Sequence, residues 1–102
     1  MDEKEVEKYR NMQQQMQLIM YQIQQMQFKV NEIEKSLEEL EKSTGDVYKI
    51  AGSILIKSNK EELSKSLKED KKTLEGRIRL LSSQGDKVKE SMLEIEKKIK
   101  KE

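Results

Sequence analysis

The side chains able to do chemistry in this chain are carboxylates and ammonium groups, and little else. Twenty acidic and 21 basic residues make up 40% of its 102 positions, and there is no His and no Cys. Without His the usual general base near neutral pH is missing. Without Cys there is no thiolate nucleophile, no disulfide and no thiolate zinc site. No glycine-rich run could cradle a phosphate. The carboxylates are interspersed as helix-surface residues, such as Glu34 with Glu38 and Lys35 with Glu39, one helical turn apart on a solvated face rather than placed to share a proton. Catalytic carboxylate pairs need a cleft, and a hairpin of two helices offers none. The expectation is a protein that is not an enzyme and holds no cofactor or metal.

What remains is apolar contact, and the stretch Val47 to Lys57, VYKIAGSILIK, concentrates it. Val47, Tyr48, Ile50, Ile54, Leu55 and Ile56 are β-branched, aromatic or otherwise good strand residues. Gly52 lies at the middle of the run, and a two-residue turn at Gly52-Ser53 fits type II′, which places Gly first. That turn sets Ile50 beside Leu55 and Ala51 beside Ile54. Tyr48, Ile50 and Leu55 then share one face, and Val47, Ala51, Ile54 and Ile56 the other. Two short strands alone are marginal in water, and these carry open edges and two apolar faces with no third strand to cover them. Such a ribbon takes partners from other chains or aggregates; the plainer reading folds it back on the ends of its own helices.

Everything around the ribbon reads as helix. Apolar residues make up only 33% of the chain and Pro is absent, a balance that suits long helices better than a thick globular core. From Tyr9 a heptad seam runs through Met12, Met16, Ile19, Ile23, Met26, Val30, Ile33, Leu37 and Leu40, with spacings alternating three and four as in a coiled-coil strand. The charged start, Met1 to Lys8, is expected to fray. At 1.5 Å per residue the helix is about 65 Å long. Its outer face is crowded with Gln between residues 13 and 27, where Leu18, Met20, Tyr21 and Phe28 also sit off the seam. These form a solvated face or a second apolar stripe for another chain. Ser43, Thr44 and Gly45 read as a helix stop. After the ribbon, Ser58 with Glu61 or Asn59 with Glu62 forms a capping box that starts the second helix.

The second seam reads Leu67, Lys71, Leu74, Ile78, Leu81, Gly85, Val88, Met92, Ile95 and Ile99. Folded at the ribbon, the two seams meet antiparallel. Leu37 faces Leu67, Val30 faces Leu74, Met26 faces Ile78, Ile23 faces Leu81, Met16 faces Val88, Met12 faces Met92 and Tyr9 faces Ile95. Lys71 opposite Ile33 and Gly85 opposite Ile19 are the exceptions, and Gly85 is expected to be the softest point of its helix. Residues 1–44 carry six basic and nine acidic side chains, and residues 59–102 thirteen and ten; the opposite signs suit pairing of the two helices.

Net charge is +1 and only four residues are aromatic, a poor basis for a nucleic-acid partner. Lys97, Lys98, Lys100 and Lys101 cluster, but Glu94, Glu96 and Glu102 interrupt any phosphate track, and lysines suit a helix C-terminus anyway. No signal peptide and no apolar run of membrane-spanning length is present, so the expected setting is cytoplasmic, with no membrane partner. The whole reads as one domain over residues 1–102, with a helix over about 3–44, a β-hairpin over about 46–57 and a helix over about 59–101.

The segment VYKIAGSILIKSNKEEL, followed by a heptad helix containing LEGRIRLL, closely resembles the prefoldin β-type subunit. Val47, Tyr48, Lys49, Gly52, Leu55, Lys57, Ser58 and Glu61 match the family pattern, and the Gln-rich MQQQMQLIMYQIQQMQ is similar to the family's first helix. The turn Ala51-Gly52-Ser53 departs from the pattern in having no Pro. The resemblance implies an all-α dominated fold, a long antiparallel two-helix coiled coil joined by a single β-hairpin that assembles into an intersubunit β-barrel. It implies a hexamer of two α-type and four β-type subunits that holds non-native proteins without ATP and delivers them to a group II chaperonin. The assembly residues are then Val47, Tyr48, Ile50, Gly52, Ile54, Leu55 and Ile56. Clients are expected at the coiled-coil tips, where the derived pairing gathers Val6, Tyr9, Met12 and Met16 beside Val88, Met92, Ile95 and Ile99, with Leu93 just off the seam. Met is flexible and polarizable and suits surfaces that accept many shapes. A plain structural coiled-coil adaptor or tether is the alternative, and a tether needs no sticky ribbon.

Overall fold

The computed structural model describes residues 2–101; residues 1 and 102 of the single-domain reading lie outside the described residues. The element order is α1 (Glu3–Lys42), β1 (Val47–Ala51), β2 (Ile54–Ser58) and α2 (Lys60–Lys101). The chain divides into two compact units, one of Met1–Met26 with Arg77–Glu102 and one of Gln27–Gly76.

In the first unit α1 starts earlier than its charged sequence suggests. The Asp2 carboxylate accepts from the Lys4 amide at 2.7 Å, and the Asp2 carbonyl accepts from the Glu5 and Val6 amides. Asp2 is therefore an N-cap, and Glu3 and Glu5 in the first turn complement the positive end of the helix dipole. The expected fraying from Met1 to Lys8 gives way to helix from Glu3 for these reasons. Along α1, Tyr9, Met12, Met16, Ile19, Ile23 and Met26 are buried or half-buried, and every other residue between 7 and 26 is exposed. The helix segments run antiparallel, with Ile19 against Gly85, Tyr9 against Glu96 and Glu5 against Lys98. Gly85 is buried against α1. A Cβ there would stand 3.5 Å from Ile19 Cγ2 and 3.8 Å from the Met16 thioether. One seam position departs from expectation: Ile99, in the last turn of α2, is exposed.

In the second unit Val30 and Leu40 are buried and Ile33, Leu37, Leu63, Leu67 and Leu74 are half-buried. Lys71, the polar intruder of the second seam, is half-buried and extends its ammonium to the Glu34 carboxylate at 3.2 Å, as a long side chain can when its charge is to stay near water. α1 stops at Lys42, and Ser43 turns its hydroxyl back onto the Leu40 carbonyl at 2.7 Å. Lys60, the first residue of α2, donates to the Glu41 carbonyl at 2.9 Å and so caps the end of α1 with a cation. Gly45 adopts φ 94° between helix and strand. Asn59, not Ser58, caps α2: its side-chain oxygen accepts from the Glu61 amide at 2.8 Å and the Glu62 amide at 3.4 Å.

The strands pair antiparallel in the expected register, with Ile50 opposite Leu55 and Ala51 opposite Ile54, closing on Val47 opposite Ser58. Gly52 takes φ 62°, and among the described residues no residue other than glycine has positive φ. A left-handed first turn residue followed by a right-handed Ser53 excludes type I′ and fits type II′. Among the described residues no helix is long and apolar enough to cross a membrane.

Candidate functional site

Two sets of residues were singled out by sequence, and they meet opposite fates in burial. The ribbon set lies in the second unit. The right-handed twist and pleat place Tyr48, Ile50, Leu55 and Lys57 on one face and Val47, Lys49, Ala51, Ile54, Ile56 and Ser58 on the other, as the register dictates. Val47 is half-buried beside the helices; Tyr48, Ile50, Gly52, Ile54, Leu55 and Ile56 are exposed. Ile50 is 73% and Leu55 67% accessible, although they face one another across the strands. Among the described residues the sheet has two strands, so both outer edges present unpaired amides and carbonyls. Such an edge is a template for another strand. At its base a groove of about 600 Å³ opens between ribbon and helices, walled by Leu40, Val47, Tyr48, Ile50, Leu63 and Leu67. Val47 and Ser58, paired at the base of the ribbon, are its half-buried residues, and its apolar middle is left exposed.

The second set lies in the first unit, toward the chain termini. Val6, Tyr9, Met12, Met16, Val88 and Met92 are half-buried in the seam, and Ile95 is buried at 6% accessibility. Only Leu93 and Ile99 stand exposed. The structure brings the seam members of the set together, and it covers them by doing so. Polar contacts clasp this end. The Tyr9 hydroxyl donates to the Glu96 carboxylate, and the hydrogen bond, helped by partial desolvation and by the nearby negative charge, raises the phenol above its usual range. Lys98 approaches Glu5 at 3.6 Å, a surface pair of small energetic weight.

Sequence reasoning missed the Glu96 partner of Tyr9, the Lys60 cap and the seam role of Leu63. Leu63 was findable, since it precedes Leu67 by one heptad step of four. The other two depend on how far long side chains reach, which spacing does not encode. Among the described residues no three carboxylates gather where a cation could bind.

Comparison with known proteins gives a consistent result. A family model described as prefoldin subunit matches residues 3–102. Among solved structures, the prefoldin beta subunit from Thermococcus strain KS-1 is similar, with 32% identity over 95% of this chain and 87% of that one and a TM-score of 0.89. No curated protein gives a significant match. Two long helices joined by one β-ribbon, a family match over nearly the whole sequence and a solved relative of the same architecture agree: this chain belongs to the prefoldin subunit family, as a β-type member.

Proposed function

We propose that this chain is an ATP-independent holding chaperone subunit that joins other subunits through its ribbon and grips non-native proteins with apolar side chains of its helices. Family membership makes it a chaperone-type, non-enzymatic subunit of a hetero-oligomer with other prefoldin subunits. The proposal adds a partner arrangement of two α-type and four β-type chains, an intersubunit β-barrel built from ribbons, clients held near Val6, Tyr9, Met12, Met16, Val88, Met92, Leu93, Ile95 and Ile99, and release to a group II chaperonin in the cytoplasm. It treats residues 1–102 as one prefoldin-like domain.

The observation that carries it is the exposed ribbon. Ile50, Ile54, Leu55 and Ile56 are large apolar residues left in water on a two-stranded sheet whose edges are both open. Covering them stabilises an assembly by roughly 25 cal/mol per Å² of apolar surface, and edge pairing supplies the register. A tether would gain nothing from such an element. The test replaces Ile54 and Ile56 together by Lys. Helix content should stay nearly intact, because the seams lie elsewhere, while native mass measured with an α-type partner should fall to single subunits. An unchanged native mass would remove the ribbon as the assembly element.

A further inference from the structure

We infer that the outer face of α1 in the first unit is a self-pairing surface, on which Gln14, Leu18, Tyr21 and Gln25 meet the same residues of a second copy of this chain running antiparallel. The inference goes beyond the holding-chaperone reading, because it concerns contact between copies and not the holding of clients.

The face carries a second seam. Gln14, Leu18, Tyr21 and Gln25 follow one another at spacings of four, three and four, so they line one stripe of the helix. The stripe lies away from the occupied seam of Met12, Met16, Ile19, Ile23 and Met26, and all four of its residues are exposed. Leu18 is 57% and Tyr21 59% accessible. Elsewhere on α1 the same outward spacing falls on Lys4, Glu7, Glu32, Lys35 and Glu39, charges such as a solvated helix face usually carries. From Asn11 to Phe28 no residue is charged, in a chain that is 40% charged. The occupied seam does not require that exception, since its own contacts are made on the other side of the helix.

Symmetry selects the occupant. Two identical helices meeting face to face bring like charges together unless the shared face has none. The uncharged run is centred between Ile19 and Met20, and so is the stripe. A two-fold axis at that point sets Leu18 against Tyr21 of the second copy, twice over, and Gln14 against Gln25 of the second copy, twice over. An aliphatic side chain then covers an aromatic ring at the centre. On either side an amide that both donates and accepts meets another. Past the run the same register opposes Glu7 to Glu32 and Lys4 to Lys35, like charges that confine the contact to the uncharged turns. Two large apolar side chains per copy fall well short of the roughly 800 Å² per partner that a stable interface buries. The contact is therefore weak singly, and it strengthens where each assembly presents several copies. Antiparallel partners run in opposite directions, so the contact links separate assemblies and not neighbours within one ribbon cluster.

The test exploits a chain with no Cys of its own. Full chains carrying Gln14→Cys or Gln25→Cys, each assembled with an α-type subunit, are mixed and oxidised. Both sites are exposed, and Leu18 and Tyr21 stay in place. The mixed disulfide between positions 14 and 25 should exceed either symmetric one about tenfold, because only opposed positions bring Cα atoms within about 7 Å. Symmetric disulfides in excess would mean parallel pairing, and a statistical mixture would mean random collision; either overturns the inference. Without cysteines, Gln14→Lys with Gln25→Glu should lower the concentration at which assemblies associate in sedimentation velocity by about fivefold, as two exposed ion pairs would. Gln14→Glu with Gln25→Glu should abolish association. Equal association of the two double variants overturns the inference, as does a photoreactive side chain at position 21 that labels an alkylated, non-native polypeptide and never a second copy. Chains that also carry Ile54→Lys and Ile56→Lys should form the same mixed disulfide, so failed pairing and failed ribbon assembly are read apart.

Discussion

The Tyr9 hydroxyl donates a hydrogen bond to the Glu96 carboxylate across 87 residues of sequence, tying the start of α1 to the end of α2 beside buried Ile95. The bond is a direct consequence of the antiparallel register. A seam that sets Tyr9 level with Ile95 puts the neighbouring Glu96 within reach of the phenol at the end of the Tyr9 ring. It is also titratable, because only the protonated phenol can donate.

Hydrogen bonding to Glu96 is the main cause of the raised Tyr9 value, so the folded phenol ionises later than the unfolded one, which titrates near 10. A folded value above the unfolded value means stability that is fully present below about pH 10 and is lost as pH rises through the folded value. Tyr9→Phe should therefore lower the urea midpoint slightly at pH 8, and the gap between variant and parent should close in strongly alkaline buffer. Subtracting one from the other cancels every group that the two chains share. A gap that widens with pH would mean that the folded phenol ionises more readily than the unfolded one, and no gap at pH 8 would mean that the protonated hydroxyl contributes nothing.

Gly85 offers a stabilising substitution. It is buried, yet a Cβ would meet Ile19 Cγ2 at 3.5 Å and the Met16 thioether at 3.8 Å, ordinary contact distances. Its φ is not positive, so Ala incurs no backbone strain. Gly85→Ala should raise stability to urea by about 1 kcal/mol from helix propensity, with a further gain from contact with Ile19. Gly85→Leu should do the opposite by overpacking. Loss of stability in the Ala variant would show that this close approach has no spare room.

At the other junction, Asn59 alone accepts from the first free amides of α2, those of Glu61 and Glu62. Asn59→Ala should cost about 1 kcal/mol, and Asn59→Asp should be neutral or mildly stabilising, since a carboxylate also favours the helix N-terminus. Equilibrium unfolding of the two variants side by side separates the lost cap from a general effect of mutation at this turn.

The parts of the fold legible from sequence were those set by period and by glycine. A three-four spacing put Ile19 opposite Gly85, and Gly52 in the middle of a β-branched run put Ile50 opposite Leu55. Sequence left Ser58 and Asn59 as equal candidates for the cap, because both stand three residues before a Glu; pairing of Ser58 with Val47 keeps Ser58 in the strand and leaves the cap to Asn59. Helix at the charged start depended on Asp2, whose capping role needs a backbone turn that composition does not announce. Lys71 looked like a flaw in the seam until the reach of its ammonium to Glu34 was seen. The candidate gripping residues expose a deeper limit. Heptad spacing identifies Tyr9, Met12, Met92 and Ile95 by the property that hides them, for a seam position is apolar because its partner covers it. Spacing thus finds such residues without telling whether they are free to touch anything else.

That conflict yields the last prediction. If clients are held by the seam near the termini, the helix ends must part, and the client must supply the free energy of opening through a higher affinity for the open state. The register that sets Ile19 against Gly85 sets Met12 against Met92, both half-buried. Cysteines at these two positions, in a chain that has none of its own, should form an intrachain disulfide when oxidised, the geometry permitting if the Cα atoms stand within about 7 Å. The oxidised form cannot open at this level; the reduced form can. In the complex with an α-type partner, oxidation should weaken suppression of client aggregation and reduction should restore it, with native mass the same in both states. Some grip should survive oxidation through exposed Leu93 and Ile99. Equal protection of the client in the two redox states would mean that the seam never opens to it, and that the side chains exposed in the closed form do all the holding.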